Sequence, residues 1–281
     1  DPKSDKSEEL FRSFGRFIEG LGGRYITAED VGTSIKDMDH VRMETKYVTG
    51  ISKSLGGSGD PSLLTSFGTY LGIKASVKFK YKKDSLDGLS IVVQGLGSVG
   101  MELVKYLSQD GMKIFAYDID SERLSLAKEE YGVIPIGEDE VYDQDVDIYA
   151  PCALGATIND ETIPRLKCNI IAGAANNVLK NPAMHAKELL HRGILYAPDY
   201  AINAGGLINV YNELDDYNRE RAFSQAEAIY DILMDIFYKS DKENIPTTIA
   251  SDRKAEERIN KIASLKSFYL PNRRKAVLKD R

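Results

Sequence analysis

The sequence predicts an α/β protein whose largest part is a doubly wound, Rossmann-like domain. Between about residue 87 and residue 203, short apolar runs alternate with stretches of helical periodicity, which is the pattern of βαβ units around a parallel sheet. The first apolar run leads directly into a Gly-x-Gly-x-x-Gly segment at residues 95–100. After residue 203 the pattern is almost entirely helical, with a break at residues 244–246.

The apolar runs mark the expected strands, at residues 89–94, 112–117, 147–150, 169–172 and 194–197. Apolar residues at helical spacing mark the expected helices, at residues 10–21, 98–109 and 121–131. Residues 25–27 are a further candidate strand. The Ser- and Gly-rich residues 51–60 indicate a crossing between domains, followed by a helix with Pro61 in its first turn.

With 281 residues, the chain is long enough for two domains of ordinary size. A net charge of −6 gives no sign of nucleic-acid binding, and no run of 18 apolar residues predicts a membrane span. The chain opens on polar residues without a visible signal peptide. Cys152 and Cys168 lack the spacing of metal ligands, so we expect no metal site and a reduced, cytoplasmic compartment.

The segment Gly95-Leu96-Gly97-Ser98-Val99-Gly100 predicts a dinucleotide-binding turn, because a strand precedes it and an apolar-periodic helix follows it. The three glycines of such a turn allow the tight bend, the approach of a diphosphate and close packing of helix on strand. Asp118 ends the next predicted strand, 18 residues after Gly100. Its carboxylate would bind the ribose hydroxyls and repel a 2′-phosphate, so we predict NAD as the cofactor. The alternative is a glycine turn that binds nothing.

Two adjacent acids, Glu29 and Asp30, follow the candidate strand at residues 25–27 and precede a flexible Val31-Gly32. A carboxylate in this position could be presented to a cleft, where it could relay protons beside a lysine ammonium. The alternative is that both acids are solvated or cap the helix near Ser34.

Three further segments have a composition that suits a ligand site. Thr65 follows the predicted domain crossing on a helix, where its hydroxyl could face a cofactor or could simply pack within the helix. The amides of Asn176 and Asn177, after a strand and several small residues, could orient a carboxamide or a carboxylate, although turns also favour this pair. Leu207 and Val210 share one helix face, which predicts either an apolar pocket wall or ordinary core packing.

Together these segments resemble the Glu/Leu/Phe/Val dehydrogenase family over essentially the whole chain. The resemblance is most specific at residues 23–32, 149–159, 173–177, 198–210 and 217–222. It implies reversible, NAD-dependent oxidative deamination of an L-amino acid to a 2-keto acid and ammonia. It also implies a role for single residues: Asp30 as the catalytic aspartate, Thr65 and Asn176 near the nicotinamide, and Ala28, Asn177, Leu207 and Val210 at the substrate.

The residues implied for the side-chain pocket predict the substrate class. A wall of Leu207, Val210 and Ala28 offers no partner for a second carboxylate, and burying that charge unpaired is strongly unfavourable. We therefore expect leucine and other branched-chain amino acids to be preferred over glutamate. A dehydrogenase for another apolar amino acid, such as valine or phenylalanine, is the alternative. The resemblance also implies a homo-oligomer, often an octamer.

The start of the chain departs from the family pattern. The family carries two lysines upstream of its first helix, one that binds the substrate carboxylate and a catalytic one in a Gly-Gly-Gly-Lys motif. The chain begins after the position that matches this motif, and no Gly-Gly-Lys occurs elsewhere in it. We therefore expect the chain to be an inactive form truncated at its amino end. The alternative is a catalytically silent NAD-binding or assembly subunit.

The predicted organisation is therefore a Rossmann-like NAD domain plus the remainder of an α/β substrate domain. Residues 1–50 are assigned to the remaining substrate and oligomerisation domain, and residues 51–246 to the NAD domain. Residues 247–281 are expected to form helices that return to the substrate domain.

Overall fold

The computed structural model describes residues 5–30 and 32–264 of the chain, which form two compact units. The first unit contains the residues up to Leu64 together with Gly206–Gln225. The second contains Thr65–Gly205 together with the residues from Ala226 onward. The first unit thus extends past the predicted boundary at residue 50 and takes in a second stretch of chain. The assignment of domains to functions stays a prediction.

The helices of the described residues, in chain order, are α1 (Glu8–Gly20), α2 (Ile35–Arg42), α3 (Ser62–Tyr81), α4 (Ser98–Gln109), α5 (Ser121–Tyr131), α6 (Pro182–His191), α7 (Asp199–Ile202), α8 (Gly205–Tyr211), α9 (Arg219–Glu243) and α10 (Thr247–Ala263). The three helices predicted from periodicity are confirmed as α1, α4 and α5. Pro61 lies immediately before α3 instead of inside its first turn.

In the first unit, α1 and α2 pack closely against each other. Ser7 caps α1, because its hydroxyl oxygen accepts a hydrogen bond from the backbone N–H of Leu10 at 3.2 Å. The buried face of α1 contains Gly15, where an added Cβ would lie 2.8 Å from the carbonyl oxygen of Val41 in α2. The absence of a side chain at Gly15 therefore permits the close approach of the two helices.

The candidate strand at residues 25–27 is wrong, since only Thr27 forms a bridge, in parallel with Val48. The backbone N–H of Thr27 donates to the carbonyl of Tyr47 at 3.0 Å, and that of Thr49 donates to the carbonyl of Thr27 at 2.8 Å. Tyr25 is exposed, so the segment lacks the buried face that would extend the pairing. The two hydrogen bonds still anchor the loop that follows Thr27.

A parallel sheet forms the centre of the second unit. Its strands, in chain order, are β1 (Ser90–Gln94), β2 (Lys113–Tyr117), β3 (Ile134–Pro135), β4 (Ile148–Pro151), β5 (Ile170–Ile171) and β6 (Leu195–Tyr196). Their spatial order is β3-β2-β1-β4-β5-β6, and all neighbours are parallel. This order is that of a doubly wound nucleotide-binding fold, so the predicted α/β fold class is confirmed.

The burial of each strand explains whether it could be predicted from an apolar run in the sequence. Ile91, Val92 and Val93 in β1 are fully buried, because both faces of a doubly wound sheet are covered by helices. A central strand therefore reads as a continuous apolar run. The edge strand β3 has only two residues, both exposed, and the sequence did not predict it.

Helix α10 begins the segment that was expected to return to the substrate domain. Its buried residues are Thr247, Ala250 and Ser251, and the helix contacts α6 within the second unit. Within the described residues α10 therefore belongs to the second unit, and the return of the segment to the substrate domain stays a prediction. The rest of the segment, residues 265–281, lies outside the described residues.

Replacing Gly100 by alanine is expected to destabilise the protein. A Cβ at this position would lie 2.0 Å from the carbonyl oxygen of Gly95, so β1 and α4 would have to move apart. We expect a loss of about 1–3 kcal/mol in the free energy of unfolding, measured by denaturant titration. Gly97→Ala is the matched control, because an added Cβ there meets no atom within 4 Å. Equal losses in both variants would contradict this packing argument.

Candidate functional site

Three strands of the sheet end at the same level, and a candidate ligand-binding segment follows each of them. Gln94, the last residue of β1, pairs with Tyr117 in β2 and with Pro151 in β4. The glycine turn, Asp118 and Cys152 therefore start from one edge of the sheet. The strand order reverses between β1 and β4, and open α/β sheets bind ligands at the carboxyl ends of strands at such a point.

The turn from β1 to α4 has no room for side chains at its first and last glycines. Gly95 has a φ of +101°, and an added Cβ would lie 2.8 Å from Cβ of Ala153. Gly97 faces open space and caps α4 without a side-chain hydrogen bond. The start of α4 therefore offers space and backbone N–H groups to an anion such as a diphosphate.

Asp118 is half-buried at the end of β2 and holds the glycine turn in place. Its Oδ2 accepts a hydrogen bond from the backbone N–H of Leu96 at 2.5 Å, and its Oδ1 accepts one from Asp120 at 2.8 Å. A carboxylate has about four acceptor positions, so these two bonds leave capacity for the hydroxyls of a ribose. The glycine turn and Asp118 are thus brought together in an arrangement that fits a dinucleotide.

The buried polar groups beside the turn remain uncharged. The Tyr149 hydroxyl donates to Oε1 of Gln94, and burial raises the pKa of Tyr149 well above its usual range. Desolvation likewise raises the pKa of the Cys152 thiol to about 11. Neither group brings a charge to this edge of the sheet at neutral pH, and we assign Cys152 a packing role.

Asn176 and Asn177 lie on a loop that follows β5. Asn177 has a φ of 53°, a left-handed conformation that asparagine tolerates, and its carbonyl accepts a hydrogen bond from the N–H of Ala156 at 2.7 Å. Nδ2 of Asn203 donates to Oδ1 of Asn176 at 2.5 Å and to the carbonyl of Ala174 at 3.2 Å. Asn203 was not predicted as a site residue, because no local pattern links it to Asn176.

Thr65 is half-buried in the first turn of α3, and its carbonyl accepts a hydrogen bond from the Thr69 hydroxyl at 2.8 Å. Helix α3 is held by close packing, since an added Cβ at Gly68 would lie 2.6 Å from Cδ1 of Ile229 in α9. Thr65 belongs to the same compact unit as the glycine turn and Asp118.

Asp30 lies on an exposed turn of the first unit. Its backbone N–H donates to Oγ1 of Thr33 at 2.9 Å, and its carbonyl accepts a hydrogen bond from the Thr33 hydroxyl at 2.7 Å. Ser34 caps α2 and forms a capping box with Asp37. Capping of this helix, the alternative role for Asp30, is therefore performed by Ser34.

Glu29, the neighbour of Asp30, is half-buried. Its Oε2 atom is buried and has no hydrogen-bond partner among the described residues. Desolvation raises the pKa of Glu29, and the negative charges of Asp60 and Asp37 add to this effect. Glu29 therefore retains a proton more readily than an exposed glutamate does.

Leu207 and Val210 lie one turn apart on α8, in the first unit. Leu207 is 72% exposed and Val210 is half-buried. Core packing, the alternative for this pair, thus does not apply to Leu207. An apolar side chain this exposed is available to contact a ligand.

Two groups that were not predicted fix the end of α8. Glu213 is buried and accepts hydrogen bonds from the backbone N–H groups of Gly50 at 3.0 Å and Ser58 at 2.8 Å. Nε of Arg221 donates to Oδ1 of Asn212 at 2.6 Å. Charged residues on a polar helix end usually signal a solvated surface, so the sequence held no sign of these contacts.

The predicted site residues are divided between the two units. The second unit carries Thr65, the glycine turn, Asp118, Asn176 and Asn177, and the first carries Ala28, Asp30, Leu207 and Val210. Within residues 5–30 and 32–264, no group of His, Cys, Asp or Glu side chains is placed to hold a metal ion. In the same part of the chain, no helix combines the length and apolarity needed to cross a membrane.

Comparison with known proteins identifies the family. Residues 118–264 match the family model of the Glutamate/Leucine/Phenylalanine/Valine dehydrogenases. The chain is 50% identical to the leucine dehydrogenase of Thermoactinomyces intermedius, over 99% of this chain and 75% of that protein. It is 52% identical to the leucine dehydrogenase of Bacillus cereus, over 97% and 74% of the two chains.

A solved structure agrees with these matches. The L-tryptophan dehydrogenase of Nostoc punctiforme is similar with a TM-score of 0.82 and 44% identity, over 93% of this chain and 74% of that one. The resemblance predicted from the sequence segments is confirmed. NAD(H) is the usual cofactor of these oxidoreductases. The chain belongs to the Glutamate/Leucine/Phenylalanine/Valine dehydrogenase family.

Proposed function

We propose that the protein catalyses the reversible, NAD-dependent oxidative deamination of L-leucine and other branched-chain amino acids. NAD and water are consumed with the amino acid, and the products are a 2-keto acid, an ammonium ion, NADH and a proton. The observation that carries this proposal is the glycine turn between β1 and α4, bonded to Asp118, in a chain 50–52% identical to leucine dehydrogenases. The same chain presents Asp30 on an exposed turn and an exposed apolar residue, Leu207, on α8.

The second unit would bind the cofactor. The N–H groups at the start of α4 suit the diphosphate, and Asp118 suits the ribose hydroxyls while repelling a 2′-phosphate. We assign the nicotinamide end to Thr65 and Asn176. Nδ2 of Asn203 donates to Oδ1 of Asn176 and so fixes the orientation of that amide. When bound, NAD accepts a hydride from the α-carbon of the substrate.

The first unit would supply the proton transfer. We assign to Asp30 the exchange of protons with the substrate nitrogen, which a carboxylate on an exposed, clamped turn can perform. Ala28 and Asn177 are assigned to the substrate. Glu29, whose pKa is raised by burial, is not assigned the proton exchange.

The substrate class follows from the residues assigned to the pocket. Leu207, Val210 and Ala28 contain no polar side-chain atom, so a glutamate side chain would have to leave its carboxylate unpaired. A branched aliphatic side chain instead gains about 1.5–3 kcal/mol when it is fully buried. Relatives that are tryptophan or phenylalanine dehydrogenases are less similar, at 45% and 42% identity.

Two parts of the proposal concern organisation. We propose that the first unit belongs to the substrate domain and the second to the NAD domain, with residues near 51–60 at the crossing. We also propose a homo-oligomer, with an octamer as the form implied by the resemblance. Light scattering of the purified protein measures its molar mass and therefore the number of subunits.

Asp118→Ala is expected to weaken NAD binding and to reduce the preference for NAD over NADP. The change removes the ribose acceptor, the repulsion of a 2′-phosphate and the hydrogen bond to Leu96. Calorimetric titration with both cofactors measures the effect, and Asp120→Ala serves as a control on the adjacent carboxylate. Equal affinity of the unchanged protein for NAD and NADP would contradict the assignment of Asp118.

Asp30→Asn is expected to abolish most turnover while leaving NAD affinity unchanged. The substitution preserves shape and removes the proton-accepting charge, so we expect a loss of about 10²–10⁴-fold in kcat. The assay uses the lysine-complete protein, meaning this chain with the family's lysine-bearing segment at its amino end. Turnover near the level of the unchanged protein would show that Asp30 only shapes the turn.

The substrate panel should rank Leu, Val and Ile above Glu in kcat/KM for the lysine-complete protein. Leu207→Val should raise kcat/KM for leucine relative to valine, because a smaller wall leaves room for one more methylene, an effect of about 10-fold or more. Leu126→Val, at an exposed position on α5, is a control outside the proposed pocket. Glutamate as the best substrate would overturn the pocket assignment.

A further inference from the structure

We propose that Glu213 is a positioning residue that sets the spacing between the pocket residues of α8 and the Asp30 turn. Glu213 lies two residues after the end of α8 and is 5% exposed. The inference rests on the proposed function, because it assigns the selection of the substrate side chain to the geometry that Glu213 maintains. It concerns contacts within the first unit only.

The Glu213 carboxylate receives three hydrogen bonds from one short segment of chain. Oε2 accepts from the backbone N–H of Gly50 at 3.0 Å, and Oε1 accepts from the N–H of Ser58 at 2.8 Å. The Ser58 hydroxyl also donates to Oε1, and Ser58 is 4% exposed. A charge held by three fixed donors has one favourable position, whereas a flexible lysine partner would allow several.

Gly50 connects this carboxylate to the Asp30 turn. Its φ is +76°, and an added Cβ would lie 3.2 Å from both Cβ and the backbone nitrogen of Glu29. The backbone of Gly50 therefore packs directly on Glu29 while its N–H binds Glu213. The neighbouring residue Thr49 donates its N–H to the carbonyl of Thr27 at 2.8 Å, which anchors the start of the same turn.

A second set of contacts makes α8 follow the position of Glu213. A short 3₁₀ helix, Asn212–Asp215, follows α8 directly, and Nδ2 of Asn212 donates to the carbonyl of Ile208 in α8 at 2.8 Å. Arg221 donates to Oδ1 of Asn212 at 2.6 Å and to the carbonyl of Asp215 at 2.8 Å. A displacement of Glu213 would therefore displace Val210, which lies one helical turn before it.

These contacts form a continuous link from Asp30 to the wall of the proposed pocket. The substrate nitrogen must reach Asp30 while the side chain contacts Leu207 and Val210. The distance between the two sites thus determines which side-chain length is accommodated. Misplacement of a reacting group by about 1 Å can reduce a rate by roughly 10²-fold.

The test variant is Glu213→Gln, with Asp215→Asn as the matched control. Glutamine keeps the shape but replaces one oxygen by an NH₂ group, which must then face the N–H of either Gly50 or Ser58. Asp215 lies in the same 3₁₀ segment, and its side chain is exposed. Asp215→Asn removes one negative charge, as Glu213→Gln does, but leaves the contacts of Glu213 with Gly50 and Ser58 in place. Ser58→Ala removes only one hydroxyl donor to Glu213, and it is the test variant if Glu213→Gln does not fold.

In the lysine-complete protein, we expect Glu213→Gln to change the ratio of kcat/KM for leucine to that for valine by about fivefold or more. Ser58→Ala should shift the ratio in the same direction by about twofold, and Asp215→Asn should leave it unchanged. NAD affinity, measured by calorimetry, should stay within about twofold in all three. Amide hydrogen exchange at Gly50 and Ser58 should be faster in Glu213→Gln.

The outcomes separate the inference from the proposed function. Turnover that falls equally for leucine and valine, with an unchanged ratio, would show a merely structural role and overturn the inference alone. Unchanged hydrogen exchange at both amides would overturn it as well. Absence of turnover with every apolar amino acid in the unchanged lysine-complete protein would overturn the proposed function, and the role in substrate selection with it.

Discussion

The turn between β1 and α4 leaves no space for a side chain at Gly95 or Gly100, and the ligand edge of the second unit depends on this close approach. Close backbone approach also occurs in the loops that follow the neighbouring strands β4 and β5. An added Cβ at Gly95 would meet Ala153 after β4, and one at Gly173 after β5 would lie 2.3 Å from the carbonyl oxygen of Pro151. The loops that follow β1, β4 and β5 are therefore stacked in this order, and the loop after β4 contacts both the glycine turn and the backbone of Asn176.

Two carboxylates of the first unit show how environment assigns different roles to one residue type. Glu213 has three donors, so its burial is compensated by hydrogen bonds and its position is determined by them. Glu29 has one buried oxygen without a partner among the described residues, and burial raises its pKa. The first arrangement suits a group that holds geometry, whereas the second suits a group that holds a proton. Both meet at Gly50, which contacts each of them.

The fold does not by itself determine the substrate, because members of one family act on different amino acids. The proposed cofactor contacts, made by backbone N–H groups and by Asp118, recognise the diphosphate and a ribose of NAD, which are the same whichever amino acid is the substrate. Selection must therefore come from residues outside this edge. In this chain the candidates are the exposed apolar residues of α8 and the buried contacts that hold that helix.

The sequence by itself determined the α/β class, the glycine turn with Asp118, and helices α1, α4 and α5, because each has a local signature in spacing or periodicity. Tertiary structure alone reduced residues 25–27 to one bridge, since no buried face extends the pairing. It also exposed Leu207, joined Asn203 to Asn176 and buried Glu213 against Gly50, 163 residues away in sequence. Such contacts depend on which surfaces meet after folding, and a charged or amide side chain gives no local sign of its distant partner.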